Sequence, residues 1–284
     1  MRVLVLGASG MLGNAVMRLF AQSPKFAVWG STRSSASHRY FPEQLRSNLI
    51  TNVDVEKFDA LSGLFGQVRP DAVINCVGLV KQLAESNDAL AAISLNAVLP
   101  HRLVRLCRLA GARLVHISTD CVFDGSRGGY VENDRPDAYD LYGRSKLLGE
   151  VDDENAITLR TSIIGRELSS ARGLIDWFLS QEHRIKGYSR AVFSGLPTME
   201  LARVIRDFVL PHPELHGLYH VSAEPISKYD LLTIVAKVYG KSIDIVPDDE
   251  LVIDRSLNSD RFRAATGYVA PGWHDLVRAM RDFG

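Results

Sequence analysis

The first thirteen residues restrict the fold more than any other stretch of the chain. Arg2-Val3-Leu4-Val5-Leu6 is a short apolar run of strand type. Gly7-Ala8-Ser9-Gly10-Met11-Leu12-Gly13 follows it without a spacer, and an amphipathic stretch then runs to Pro24. Strand, glycine turn and helix in that order form the first half of a βαβ unit, the building block of a parallel sheet covered by helices. The glycines differ in what they permit. Gly7 allows the tight turn, Gly10 lets the backbone approach a ligand, and Gly13 lets the helix pack closely on the strand. A phosphate at this helix N-terminus meets unpaired N–H groups and the positive end of the macrodipole. The spacing is Gly-x-x-Gly-x-x-Gly rather than the commoner Gly-x-Gly-x-x-Gly, but the three steric roles are preserved, so Gly7, Ser9, Gly10, Met11 and Leu12 are expected along a dinucleotide.

Further along, apolar strand-like runs alternate with helical patterns. Strands are expected at Ala27 to Gly30, Asn48 to Asn52, Ala72 to Cys76, Arg113 to Ser118 and Ala156 to Arg160, and helices around Val55 to Val68, Leu95 to Ala110 and Tyr142 to Val151. The fold class this predicts is α/β, a Rossmann-type doubly wound parallel sheet with a smaller α/β substrate domain. The cofactor-binding domain is expected over 1–165 and the substrate-binding part over 166–284. Pro197-Thr198 should open a helix that returns to the first domain over 197–222. Ser227-Lys228-Tyr229-Asp230 is read as a capping box for a helix to about Tyr239, and Ser259 as the cap of another.

Ligands of such sheets collect at the carboxyl ends of the strands. After the second strand, where an acidic residue would bind the 2′-hydroxyl of NAD, the chain has Ser31-Thr32-Arg33-Ser34-Ser35. A guanidinium suits a 2′-phosphate, so NADPH is favoured over NADH with Arg33 as its partner and Arg39 as a competitor. Asp54-Val55 and Cys76-Val77-Gly78 end two further strands and should lie along the cofactor. Asp54 is equally placed to cap the next helix, and Cys76 reads as a small buried hydrophobe rather than a reactive thiol.

Equal numbers of basic and acidic side chains, 33 each, give no global attraction to nucleic acid or to an anionic membrane. Three widely spaced cysteines, Cys76, Cys107 and Cys121, argue against a disulfide framework or a zinc site and fit a reducing cytoplasm, with no metal expected. The opening apolar run is too short to span a bilayer and has no signal-peptide pattern, and no transmembrane segment is predicted. A homodimer is compatible with the sequence.

Tyr142-Gly143-Arg144-Ser145-Lys146 carries the chemistry. On a helix, residues four apart share a face, and a neighbouring ammonium favours the ionised phenol, which is expected to bring Tyr142 closer to acid–base work near neutrality. Together with the glycine loop, this pair points to reduction or oxidation of a carbonyl.

The combined motifs resemble those of an extended short-chain dehydrogenase/reductase, and within it the dTDP-4-dehydrorhamnose reductase group of nucleotide-sugar 4-ketoreductases. The resemblance rests on Gly7 to Gly13, Arg69-Pro70-Asp71-Ala72-Val73-Ile74-Asn75, Ser118-Thr119-Asp120-Cys121-Val122-Phe123, Tyr142 to Lys146, Leu159-Arg160-Thr161-Ser162, Gly195-Leu196-Pro197-Thr198 and Leu257-Asn258-Ser259. It implies that Tyr142 is the proton donor and that Lys146 binds the nicotinamide ribose and tunes the phenol. Thr119 then hydrogen-bonds the substrate oxygen, with Ser118 as a sharer or alternative, and Asp54 and Val55 form the adenine-binding pair.

Two departures bear on the substrate. Cys121 replaces the aromatic residue common after Thr-Asp, so Asp120 and Cys121 are expected to contact the sugar differently, and Val77-Gly78-Leu79-Val80-Lys81-Gln82 replaces an alanine-rich segment. Lys81 is a candidate sugar or diphosphate contact, and Arg190 and Arg255 are candidate diphosphate partners; all three are equally compatible with solvated surface positions. The predicted reaction is hydride transfer to the 4-keto group of a dTDP- or UDP-linked 6-deoxyhexulose, which would feed polysaccharide or deoxysugar synthesis. A 4-epimerase and a non-catalytic NADP-binding regulatory subunit are the alternatives. Dehydration is disfavoured because Cys121 stands where a dehydratase places glutamate.

Overall fold

The computed structural model describes residues 1–79, 88–168 and 173–284. Seven strands form one sheet: β1 (Arg2–Leu6), β2 (Ala27–Ser31), β3 (Leu49–Ile50), β4 (Ala72–Asn75), β5 (Arg113–Thr119), β6 (Ala156–Thr161) and β7 (Gly217–His220). Their order is β7-β6-β5-β4-β1-β2-β3, with every neighbouring pair parallel. The order reverses between β1 and β4, which opens a crevice at their carboxyl ends, the usual ligand site of such sheets.

The principal helices are α1 (Met11–Phe20), α2 (Phe58–Val68), α3 (Ala89–Ala110), α4 (Leu141–Leu148), α5 (Leu174–Ser180), α6 (Thr198–Val204), α7 (Lys228–Tyr239), α8 (Asp260–Thr266) and α9 (Trp273–Phe283). Strand alternation sorts the core into two layers. Val3 and Val5 face a cluster with Val16 and Phe20 of α1, Leu201 of α6, Val235 of α7 and Val277 of α9. Leu4 and Leu6 face the opposite cluster, with Leu61 and Leu64 of α2 and Leu103 and Leu106 of α3. Helices thus cover both faces, and each fully buried Leu or Val contributes ~1.5–3 kcal/mol.

Several boundaries move for local reasons. β3 is two residues long rather than five, because Asn52 turns the chain at φ 60°. α2 starts at Phe58 rather than Val55, since Asp54 accepts the Glu56 N–H and holds a turn ahead of the helix. α3 begins six residues before Leu95, with Asp88 accepting from the Leu90 and Ala91 N–H groups. It continues through a π-helical segment, Ile93–Val98, into Leu99–Ala110. By length and composition α3 could cross a membrane, but half of its apolar window is buried inside the fold. α4 stops at Gly149 instead of reaching Val151.

The remaining strands are short. Ala191–Phe193 pairs with Ile226–Ser227 and Ile253–Asp254, and Ile185–Tyr188 pairs with Ile245–Asp248. Ser227 caps α7 as expected, accepting from the Asp230 N–H. Ser259 does not cap α8: its hydroxyl accepts from Ser222, and Asn258 Oδ1 takes the Asp260 N–H instead. The chain crosses back between its halves, with α6 packed on α1 and β7 added beside β6.

Candidate active site

The cradle after β1 is shaped by missing side chains. Gly7 has φ +74°, and a Cβ there would stand 3.2 Å from the Cys76 carbonyl carbon. A Cβ on Gly13 would lie 2.2 Å from the Gly7 carbonyl oxygen, so only glycine lets α1 come this close to the turn. Gly10 is the N-cap of α1, and Met11 and Leu12 open the helix, where N–H groups lack intrahelical acceptors. This is the surface a pyrophosphate requires. Arg33, one residue beyond the buried Thr32 at the end of β2, is exposed, whereas Arg39 stacks on Tyr40 and donates to its hydroxyl. Asp54 is partly buried, with one carboxylate oxygen taking the Glu56 N–H and the other 3.9 Å from Lys57 Nζ.

At the end of β4, burial pushes the Cys76 thiol up to about 12, despite the nearby Lys146 charge, so it is inert at neutral pH. Asn75 donates to Nδ1 of His116, and burial holds this imidazole neutral, well below its ordinary pKa. A Cβ on Gly78 would stand 3.2 Å from Asn96 Oδ1 and 3.7 Å from Lys146 Nζ. The loop after β4 and the Lys146 ammonium therefore share one wall.

Thr119 ends β5 and Tyr142 and Lys146 lie on α4, which Asp140 caps by accepting the Gly143 N–H at 2.7 Å. The phenol lies near the Thr119 hydroxyl, which opposes the rise in its pKa. Thr119 Oγ1 also donates to Asp120 Oδ1 at 3.1 Å and accepts from the Cys121 N–H at 3.1 Å. The buried Lys146 donates to the Ile117 carbonyl at 2.7 Å. Desolvation lowers this ammonium to about 8, with Glu150 and Cys76 acting against the shift. The expected lowering of the phenol is corrected here: burial dominates at Tyr142 and pushes its pKa up, with Cys121 adding to the shift. Ser118 is also removed from the alternatives for the substrate oxygen, because alternation along β5 turns its side chain to the face opposite Thr119, where its hydroxyl donates to Glu150 at 2.7 Å.

Sequence reasoning missed the support beneath this trio. Asn96, in the π-helical segment of α3, donates to Ser145 Oγ and accepts the Leu79 N–H at 2.9 Å. The signal was Pro100 four residues on, which cannot donate to the Asn96 carbonyl and so marks a break in the ladder. Gly149 packs against that carbonyl so closely that a Cβ would fall 1.8 Å from it. Glu150 accepts from Arg160 through both oxygens at 2.6 Å, a bidentate pair beneath the Ser118 strand end.

Asp120 and Cys121 begin the substrate side. Asp120 is buried, which raises its carboxyl against the opposing fields of Lys228 and Arg255, and burial pushes the Cys121 thiol up to about 12. Lys228, at the first position of α7, was missed because the capping box around it gave it a structural reading. Arg255 is corrected as a diphosphate partner: its Nε and Nη2 donate to the Phe123 and Asp124 carbonyls at 2.8 and 3.2 Å, tying down the loop after Asp120. Arg190 is exposed on the turn before Ala191. Lys81 lies outside the described residues. Among those residues no three His, Cys, Asp or Glu side chains converge as a metal site.

The glycine cradle, the reversed strand order and the Thr-Tyr-Lys trio at the end of β5 define an extended short-chain dehydrogenase/reductase. Residues 1–251 match the family described as RmlD substrate binding domain, and the chain belongs to that family. It is 30% identical over 264 residues to methionine adenosyltransferase 2 subunit beta of Danio rerio, covering 88% of this chain and 77% of that protein. Over 86 residues it is 46% identical to dTDP-4-dehydrorhamnose reductase of Mycobacterium tuberculosis, 28% of each chain. Its fold superposes on dTDP-4-dehydrorhamnose reductase of Bacillus anthracis, solved in complex with NADP, with a TM-score of 0.81, 21% identity and 99% of each chain covered.

Proposed function

We propose that the protein is an NADPH-dependent reductase of the 4-keto group of a nucleotide-linked 6-deoxyhexulose, with dTDP or UDP as the nucleotide. The observation that carries this reading is the convergence of Thr119, Tyr142 and Lys146 beside a cradle that only glycines permit. The cofactor fit is supported by the Gly7 and Gly13 approaches and by the exposed Arg33 after β2, whose guanidinium would hold a 2′-phosphate. The M. tuberculosis reductase and the NADP in the B. anthracis structure point the same way.

A reduced nicotinamide supplies the hydride. The protein's own part is positioning and proton delivery. Tyr142, held protonated by burial, gives its phenolic proton to the oxygen that forms at C4, and the Thr119 hydroxyl turns its proton from Asp120 to the same oxygen as charge develops. Lys146 keeps one donor on Ile117 and has two further N–H groups for the nicotinamide ribose. Its positive charge then favours the phenolate left after transfer.

A second reading follows from the Danio rerio relative: an NADP-binding subunit that acts on a partner enzyme. One experiment separates the two. Purified protein is mixed with NADPH or NADH and with freshly generated dTDP- and UDP-4-keto-6-deoxyhexoses, N-acetylated ones included, and nicotinamide absorbance is followed. Oxidation that prefers NADPH and falls ~10²–10⁴-fold in Tyr142→Phe, with cofactor affinity retained, supports the reductase. Tight NADPH binding with no oxidation of any of these sugars favours the subunit.

A further inference from the structure

Lys228 opens α7 at a position where local electrostatics ask for the opposite charge. A helix N-terminus carries the positive end of its macrodipole and disfavours a cation. The neighbours obey the rule, with Ser227 as cap and Asp230 in the first turn. Lys228 instead turns its ammonium onto the Phe193 ring, 3.5 Å from the centroid, and into the field of Asp120 and Cys121. Desolvation lowers it to about 8, and among the described residues it has neither a protein hydrogen-bond acceptor nor a direct ion pair with Asp120. A cation held at the wrong end of a helix, with an aromatic face but no acceptor for its three N–H groups, breaks a local rule in the pattern of a functional group.

Asp120 is its counterpart, each charge lying in the other's field. The carboxylate accepts from Thr119 Oγ1 at 3.1 Å, about the spacing of oxygens on neighbouring carbons of a sugar ring. A hexulose with its C4 oxygen on Thr119 therefore brings the oxygen of an adjacent carbon to Asp120. On one side of C4 that carbon is C3, with a hydroxyl; on the other it is C5, which in a 6-deoxy sugar carries a methyl group and the ring oxygen, an ether that cannot donate to a carboxylate. Resting on the reductase reading above, we propose that Lys228 is a specificity-determining residue: with Asp120 it holds the C3 hydroxyl, which donates to the carboxylate and accepts from the ammonium. The groups facing this subsite are Asp120 and Cys121 from the β5 end, Arg255 behind Asp120, and the Phe193 ring.

The test crosses two substrates with three proteins. Wild type, Lys228→Met and Lys228→Arg are assayed with NADPH and dTDP-4-keto-6-deoxyglucose or its 3-deoxy analogue. Lys228→Met is expected to raise KM for the hydroxylated sugar ~10–100-fold, the effect of one hydrogen bond to a charged group, and to leave the 3-deoxy sugar and NADPH affinity within about twofold. Lys228→Arg should restore most of the affinity. It should also abolish the rise in wild-type KM above pH about 8 that accompanies loss of the Lys228 proton. Equal effects of Lys228→Met on both sugars overturn the proposal.

Binding of dTDP-glucose and UDP-glucose to the NADP-loaded proteins, followed by calorimetry, keeps this result separate from the reductase reading. If no keto sugar is reduced but Lys228→Met weakens dTDP-glucose or UDP-glucose at least tenfold, the subsite stands and the reductase reading fails. If wild type binds neither sugar and reduces none, both fall.

Discussion

On the cofactor side of the cleft, each group is held by a backbone or amide partner close in space: Lys146 by the Ile117 carbonyl, Leu79 by Asn96, and the turn after β1 by its own glycines. On the substrate side, Asp120 and Lys228 are charges taken out of water that face each other without a direct bond, and Arg255 is occupied by loop carbonyls. The first wall is complete as it stands. On the reading proposed above a polar ligand completes the second, so changes on the first wall should alter chemistry and cofactor choice, and changes on the second should alter which sugar is accepted.

The largest effect expected on the first wall is at Tyr142, described above. Close behind comes its foundation. Removing one partner of a buried bidentate ion pair leaves an uncompensated charge, so Glu150→Ala should destabilise the fold by ~3–5 kcal/mol, visible as a lower urea midpoint. A loss under about 1 kcal/mol would mean that water reaches Arg160 and the two walls are less different than drawn. Arg33→Ala should reduce the preference for NADPH over NADH by ~10–100-fold with little change in NADH affinity, measured by titration of each cofactor. If the preference persists, Arg39 is the phosphate partner.

The pH profile discriminates next. Lys146 is lowered to about 8, so the free protein loses this ammonium as pH rises through that value, whereas burial keeps Tyr142 protonated well beyond it. kcat/KM should therefore fall on the alkaline side from about pH 8, and the fall should persist in Lys228→Arg, where Lys146 still loses its proton there. A limb displaced to the ordinary lysine range would remove desolvation as the dominant influence on Lys146. The smallest change expected is in Ser118→Ala, which loses one hydrogen bond to Glu150, ~1 kcal/mol of stability, and leaves turnover within a few-fold. Thr119→Ala, one residue on and facing the cleft, should cost turnover far more.

The first wall was legible in the sequence because its parts lie in contiguous motifs with periodic placement: the glycines follow β1 directly, and Tyr142 and Lys146 are one helical turn apart. The doubly wound parallel sheet followed from the same alternation, but its edge strand at Gly217–His220 did not. What escaped was whatever depends on distant segments meeting. Asn96 is a polar residue in an apolar helix with no local signature beyond Pro100, and Lys228 was hidden inside a valid capping box. The expected influence of Lys146 on the phenol failed for a related reason: spacing brings charges near each other, but only the packed fold sets how much water is removed, and at Tyr142 that removal dominates.

Gly149 carries no side chain and takes part in no step, yet it sets the clearance between α4 and the Asn96 carbonyl. It works as a spacer of zero thickness. Even a methyl group there would wedge the two helices apart and carry Lys146 away from the loop around Gly78, detuning the trio without touching any member of it. Variation at this position would thus be read as lost chemistry although its origin is mechanical, a matter of how far two helices can close.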